Sequence, residues 1–185
     1  MMEQMETTVK IFRTGTMICT LALASAWMTP HMNAQPAAPT AQASMSKEAG
    51  TLSDKFSGLA RVMAGKYDWK PGQGVRSVGD VFNLIVTENG LLVRTLTGTV
   101  APAGAQPAPV TDPAKMQDAL KASYANVQKT IEGLSDGDLK TPVKLFGMDL
   151  TKEGAIRLLL GDQHEHLGQS IAYARSNAVV PPWSK

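Results

Sequence analysis

The sequence predicts an all-α fold, a bundle of four helices with long connections between helices two and three and between helices three and four. Apolar residues recur at three- and four-residue intervals, as on one face of a helix, in four segments. No apolar-polar alternation is long enough to predict a sheet. The Pro- and Ala-rich stretch 98–110 could extend about 40 Å at about 3.3 Å per residue, so it permits helices two and three to run parallel.

Each of the last three helices begins at a recognisable N-terminal cap. Ser77, with Asp80 three residues later, forms a capping box. Asp112 followed by Pro113 is typical of a helix start, and Thr151 caps the fourth helix. The first helix is inferred from the spacing of its apolar residues alone. The expected helices run approximately over Lys47–Gly65, Ser77–Thr97, Asp112–Gly133 and Thr151–Asn177.

The N-terminal segment has the pattern of a secretory signal. Lys10 and Arg13 precede an apolar run over residues 16–28, and a cut after Ala34 would follow. The apolar run is too short and interrupted to span a bilayer stably. We therefore expect the segment to be cleaved and the protein to be exported to the periplasm or medium, and a retained N-terminal anchor is the alternative. The small, Pro-containing stretch that follows indicates disorder. The predicted organisation is signal peptide 1–34, disordered leader 35–44 and helical domain 45–185.

Charge and cysteine content narrow the function classes. The net charge is +2 for the whole chain and stays the same after the predicted cleavage, so we expect no nucleic-acid partner and no stable membrane anchor after processing. The single cysteine, Cys19, lies in the signal segment. Any metal in the mature chain is therefore restricted to oxygen and imidazole ligands.

Asp162 and His166 stand four residues apart on the fourth helix, the spacing that lets two side chains reach one ion. Glu88 interrupts the apolar stripe of the second helix, and a buried carboxylate needs a cation, a hydrogen-bond partner or a proton. His164 projects about 200° from His166 and is the weaker candidate ligand. The alternative for the Asp162–His166 pair is a hydrogen bond at the rim of the bundle.

Three stretches, "GVRSVGDVFNLIVTEN", "HEHLGQSIAYAR" and "VVPPW", resemble the DinB-like superfamily, and the resemblance covers the chain from about Met45 to its end. It implies a four-helix bundle in up-down-down-up order. It also implies a divalent metal, commonly nickel or zinc, held by three histidines, with thiol-dependent transferase activity in some relatives. Many members dimerise, so a homodimer is expected here.

The resemblance carries over only in part. His166 matches the last metal histidine, Asp162 stands where the second is expected, and Leu84 replaces the third. In one hypothesis Glu88 takes the lost position and the three side chains hold one divalent ion (Zn, Mn, Fe or Ni) for a transferase- or hydrolase-like reaction on an unknown small molecule. In the other, the site has decayed and the bundle is a non-catalytic ligand- or protein-binding module. Gln169 is interpreted as a structural contact to a neighbouring loop.

Overall fold

A computed structural model of the chain describes residues 38–100 and 108–184, and the structural statements below concern these residues. The predicted signal peptide, the start of the predicted leader and the middle of the 98–110 connection lie outside them. The described part contains five helices and one two-stranded sheet. Their bounds are α1 Ala41–Val62, α2 Val78–Thr97, α3 Pro113–Glu132, α4 Asp136–Leu139, β1 Pro142–Leu145, β2 Met148–Thr151 and α5 Lys152–Ser176.

The three predicted helix caps are confirmed. In α2 the Ser77 hydroxyl accepts from the Asp80 amide at 3.2 Å while the Asp80 carboxylate accepts from the Ser77 amide at 3.0 Å. These hydrogen bonds also lower the pKa of the Asp80 carboxyl. Asp112 caps α3 and Thr151 caps α5 through their side-chain oxygens. The polar residues at these positions therefore fix where three of the long helices begin.

The first helix begins earlier than expected, so residues 41–44 of the predicted disordered leader are helical. Thr40 caps α1 by accepting from the Ala43 amide at 3.1 Å. The Gln42 amide donates to the Leu134 carbonyl at 3.2 Å and to Asp136 at 2.9 Å. The small residues of this stretch predict disorder, but alanine is also the best helix former, and these contacts hold the first turn in place.

The apolar faces of the long helices form one core. Both α1 and α2 pack against α3 and α5. An aromatic cluster lies at the centre, where the Phe56 ring meets Phe82 edge-on at 6.5 Å and stacks on Tyr124 at 6.4 Å between centroids. Burial of each such side chain contributes about 1.5–3 kcal/mol. The apolar faces of α1, α3 and α5 are buried as their spacing predicts, among them Leu52, Leu59, Met116, Leu120, Val127, Ile131, Ile156 and Leu160. On α2 the predicted stripe is only partly buried, because Val81 and Leu92 are buried whereas Leu84, Leu91 and Thr95 are partly exposed.

The connection before the last long helix contains a β-hairpin, so the all-α prediction is wrong in this segment. Strands β1 and β2 pair antiparallel, with Pro142 opposite Thr151 and Leu145 opposite Met148. Each strand has four residues, too few for a recognisable alternation. The Phe146–Gly147 turn has φ of 51° and 79°, the left-handed pair that suits a tight hairpin. The fold is therefore mostly helical, with a small sheet at one end.

Thr151 joins the hairpin to α5 because it is both the last residue of β2 and the N-cap of the helix. The Lys152 amide donates to the Thr141 carbonyl at 2.9 Å and secures this junction. The position and direction of the first turn of α5 thus follow from the pairing of the two strands. None of the helices in residues 38–100 and 108–184 combines the length and apolar character that crossing a membrane requires.

Candidate metal centre

Three side chains predicted from the sequence come together between α2 and α5. Glu88 projects from α2, and Asp162 and His166 project from successive turns of α5. One ligand atom from each lies within 4.8 Å of the other two. The convergence that the helical spacing predicted is therefore observed, while the role of these side chains as metal ligands stays a prediction.

Glu88 is the buried member of the group. Its residue is 7% exposed, and its Oε2 atom is buried without a hydrogen-bond partner in the described part of the chain. Burial, and then the negative charge of Asp162, raise the pKa of the Glu88 carboxyl from 4.5 to about 7, against an opposing effect of Arg76. A carboxylate in this position is costly unless a proton or a cation compensates it.

Asp162 and His166 complete the site on its more open side. The His166 Nε2 atom lies 3.6 Å from Asp162 Oδ2, and their side chains are 16% and 41% exposed. This separation is longer than a hydrogen bond, so the alternative of a hydrogen bond at the rim is not observed for this pair. Two ligands at about 2.1 Å from a tetrahedral metal lie about 3.5 Å apart. The observed spacing therefore suits two ligands of one ion better than a direct hydrogen bond.

His164 and Leu84 lie outside this group. The His164 Nε2 atom is 2.9 Å from Glu48 on α1, where both side chains are substantially exposed. This location agrees with the 200° separation on the helix that made His164 the weaker candidate. Leu84 lines a cavity of about 250 Å³ together with Arg76 and Thr87, and that cavity does not include Glu88.

A chain of buried hydrogen bonds lies directly behind the carboxylates. The Tyr124 hydroxyl donates to Gln163 Oε1 at 2.9 Å, Gln163 Nε2 donates to Asn89 Oδ1 at 2.9 Å, and Asn89 Nδ2 donates to the Ser123 hydroxyl at 3.0 Å. Asn89 and Gln163 are each 0% exposed. Asn89 directly follows Glu88, and Gln163 directly follows Asp162. The hydrogen bond between the two amides therefore holds α2 against α5 beside the two carboxylates.

The sequence pattern did not predict this polar chain. Asn89 and Gln163 fall on the inward faces of their helices, and a buried amide needs a partner as much as a buried carboxylate does. The presence of one amide side chain on the inward face of each of two neighbouring helices is the pattern that could have predicted this hydrogen bond. The Tyr124 hydroxyl, by contrast, could not have been assigned, since the pattern identifies Tyr124 only as an apolar core residue.

We expect Tyr124→Phe to lower the free energy of unfolding by about 2 kcal/mol, because it leaves Gln163 Oε1 buried and unpaired. Urea denaturation followed by circular dichroism measures the change. Thr130→Ala is the matched control, since it also removes a hydroxyl from α3, but an exposed one that bonds only to the Asn126 carbonyl. Equal effects of the two substitutions would show that the buried chain has no special role in stability.

Comparisons with known proteins identify the family. A family model described as the DinB superfamily matches residues 52–170. The fold is similar to that of a DinB-like protein from Bacillus subtilis, with a TM-score of 0.62, 16% identity, and coverage of 74% of this chain and 93% of that chain. It is also similar to a DinB-like protein from Bacillus cereus ATCC 10987, with a TM-score of 0.63, 17% identity, and coverage of 76% and 95%.

At these identities the likeness to the two structures shows the fold alone. No curated protein matches the chain. The match to the family model has a wider consequence, because it spans more than half of the sequence and includes Glu88, Asp162 and His166. The chain belongs to the DinB superfamily.

Proposed function

We propose that the domain binds one divalent metal ion through Glu88, Asp162 and His166. The observation that carries the proposal is the Glu88 oxygen that is buried, has no hydrogen-bond partner in residues 38–100 and 108–184, and lies beside a second carboxylate and an imidazole. Two carboxylates so close repel each other when both are ionised. A cation between them removes the repulsion and gives the buried oxygen a partner.

The ligand types favour particular metals and chemistry. Two carboxylates and one imidazole form an oxygen-rich set that favours Mn, Fe or Zn over Ni. When bound, such an ion supplies a Lewis acid that can polarise a substrate oxygen or activate water. The partly exposed Asp162 leaves one side of the site accessible to a small molecule. The corresponding activity is a hydrolase- or transferase-like reaction on a small-molecule substrate.

Leu84 favours a second candidate function, because leucine cannot ligate a metal at the position where the resemblance places a histidine. In that case the bundle is a non-catalytic module that binds a ligand or a protein. The two candidates differ in whether the three side chains hold an ion at all, so metal content separates them.

The deciding experiment is elemental mass spectrometry on the mature protein purified without an affinity tag. We expect close to one divalent ion per chain, either as purified or after incubation with Mn, Zn, Fe or Ni salts, and loss of that ion in His166→Ala. His164→Ala is the matched control and should retain the metal, because His164 pairs with Glu48 instead. Absence of metal under all these conditions, or equal loss in both variants, would reject the proposed site.

We also propose the finer architecture and the export of the chain. The packing of both α1 and α2 against α3 and α5 supports a four-helix arrangement, and the family resemblance supports its up-down-down-up order. The signal-like pattern of residues 1–34 supports export to the periplasm or medium, and N-terminal sequencing of the mature protein should begin at Gln35. A homodimer is the proposed assembly, and light scattering of the purified protein tests it.

A further inference from the structure

Three hydrogen bonds connect His166 to a backbone carbonyl at the start of α2. The Tyr173 hydroxyl donates to the Arg76 carbonyl at 3.2 Å. The Gln169 amide nitrogen donates to the Tyr173 hydroxyl at 2.7 Å. The Gln169 amide oxygen lies 3.0 Å from His166 Nδ1. Because these residues are three and four apart on α5, they lie on one face of the helix.

The Arg76 carbonyl determines which atom donates and which accepts in each of these three hydrogen bonds. The Arg76 carbonyl can only accept, so the single hydroxyl hydrogen of Tyr173 points to it. The Tyr173 oxygen must then accept the 2.7 Å hydrogen bond from Gln169, which requires the amide NH₂ group to face Tyr173. The Gln169 carbonyl oxygen consequently faces His166, and an oxygen there needs a hydrogen on Nδ1.

We propose that Gln169 and Tyr173 are positioning residues that hold neutral His166 with its hydrogen on Nδ1 and its free lone pair on Nε2. In that tautomer Nε2 faces Asp162 Oδ2 at 3.6 Å, so two atoms that can only accept stand opposite each other. A cation is the partner that such a pair lacks. The assignment deepens the proposed function, but the tautomer itself exists in the protein without metal.

The surroundings make this orientation rigid. Tyr173 is 6% exposed, and its ring meets Trp69 edge-on at 5.3 Å between centroids. The Arg76 carbonyl immediately precedes Ser77, the cap of the helix that carries Glu88. The three hydrogen bonds therefore connect His166 on α5 to the backbone just before α2. Outer hydrogen bonds of this kind orient ligating histidines, and their loss typically weakens metal binding by about 10–100-fold.

Nitrogen-15 NMR of the metal-free, full-length mature protein tests the inference directly, because two-bond proton–nitrogen correlations distinguish the two neutral tautomers of histidine. Spectra are recorded above about pH 8, well above the ordinary pKa range of histidine side chains. Wild type should show a protonated Nδ1 and an unprotonated Nε2 at His166. Gln169→Leu removes the acceptor and should shift His166 towards the Nε2–H tautomer, which free imidazole side chains prefer. Gln169→Glu keeps an acceptor and should preserve the wild-type pattern.

Tyr173→Phe keeps the ring but removes the hydroxyl, so the Gln169 amide can rotate and a second population with Nε2–H should appear. His164 is the internal control, since it pairs with Glu48, and its signals should not change. An Nε2–H tautomer at His166 in wild type, or a spectrum unchanged in Gln169→Leu, would overturn the inference.

Metal titration of the same variants separates this inference from the proposed function. We expect Gln169→Leu to weaken binding of Zn²⁺ by about tenfold or more, with Gln169→Glu close to wild type. If His166 shows the expected tautomer but no variant or wild type binds metal, the positioning role stands and the proposed function fails. If wild type binds metal with the hydrogen on the other nitrogen, the positioning role fails and the proposed function stands.

Discussion

Zn²⁺ at a thousandfold excess over its Kd is expected to raise the free energy of unfolding of the mature protein by about 4 kcal/mol. The expected gain is this large because the three ligand atoms meet only in the folded chain. Glu88 comes from α2 and the other two side chains from α5, more than 70 residues later, so the unfolded chain has no comparable site. Thermal or urea denaturation with and without Zn²⁺ measures the difference.

Asp162→Asn should remove most of this stabilisation, since an amide is a poor substitute for a carboxylate that ligates a metal and balances its charge. Glu165→Gln is the control, because Glu165 is an exposed carboxylate on the same helix and lies outside the group of three. A Zn²⁺ effect that persists in Asp162→Asn, or disappears equally in both variants, would place the bound ion elsewhere on the protein.

The metal-free protein should become less stable as the pH rises through the range from about 4.5 to 7. The Glu88 pKa is about 7 in the folded protein and 4.5 ordinarily, so across this range the folded state retains a proton that the unfolded chain has released. Stability then falls with increasing pH. At about 1.4 kcal/mol per pKa unit, this group contributes a loss of about 3 kcal/mol, complete slightly above pH 7.

Glu88→Gln should remove this part of the pH dependence, because the amide is neutral throughout. The variant should be more stable than wild type at about pH 8 without metal, and it should no longer gain stability from Zn²⁺. Urea unfolding at a series of pH values gives both profiles, with Glu165→Gln again as the exposed control. A wild-type profile that stays parallel to that of Glu88→Gln would show that the buried carboxyl does not titrate in this range.

Much of the helical structure could be predicted because it depends on local chemistry. Ser77, Asp112 and Thr151 begin helices through contacts with residues at most three positions away, so the sequence contains the whole signal. The meeting of Glu88 with Asp162 and His166 was also predictable, because Glu88 interrupts an apolar stripe and the other two side chains stand four residues apart on one helix. Helical periodicity alone is sufficient to place such a side chain.

The remaining features depend on contacts between distant residues. The helical turn at Ala41 is held by Gln42, whose partners lie more than 90 positions later. The hairpin strands are short, and the sequence around Phe146 does not contain the usual turn residues at both positions that require positive φ. Gln169, which the sequence predicts only as a loop contact, instead bonds to His166 and to the Tyr173 hydroxyl on its own helix.

The junction at Thr151 determines where the chain can vary in length. Since strand pairing sets the first turn of α5, each added residue between Thr151 and Asp162 would turn His166 by about 100° around the helix axis, away from Glu88. A residue added within 133–141, before the hairpin, leaves that angle unchanged. An insertion just before the hairpin should therefore leave His166 directed at Glu88, although it disturbs the contacts of Leu134 and Asp136 with α1. The ten residues 152–161, by contrast, form a spacer of fixed length between Thr151 and Asp162.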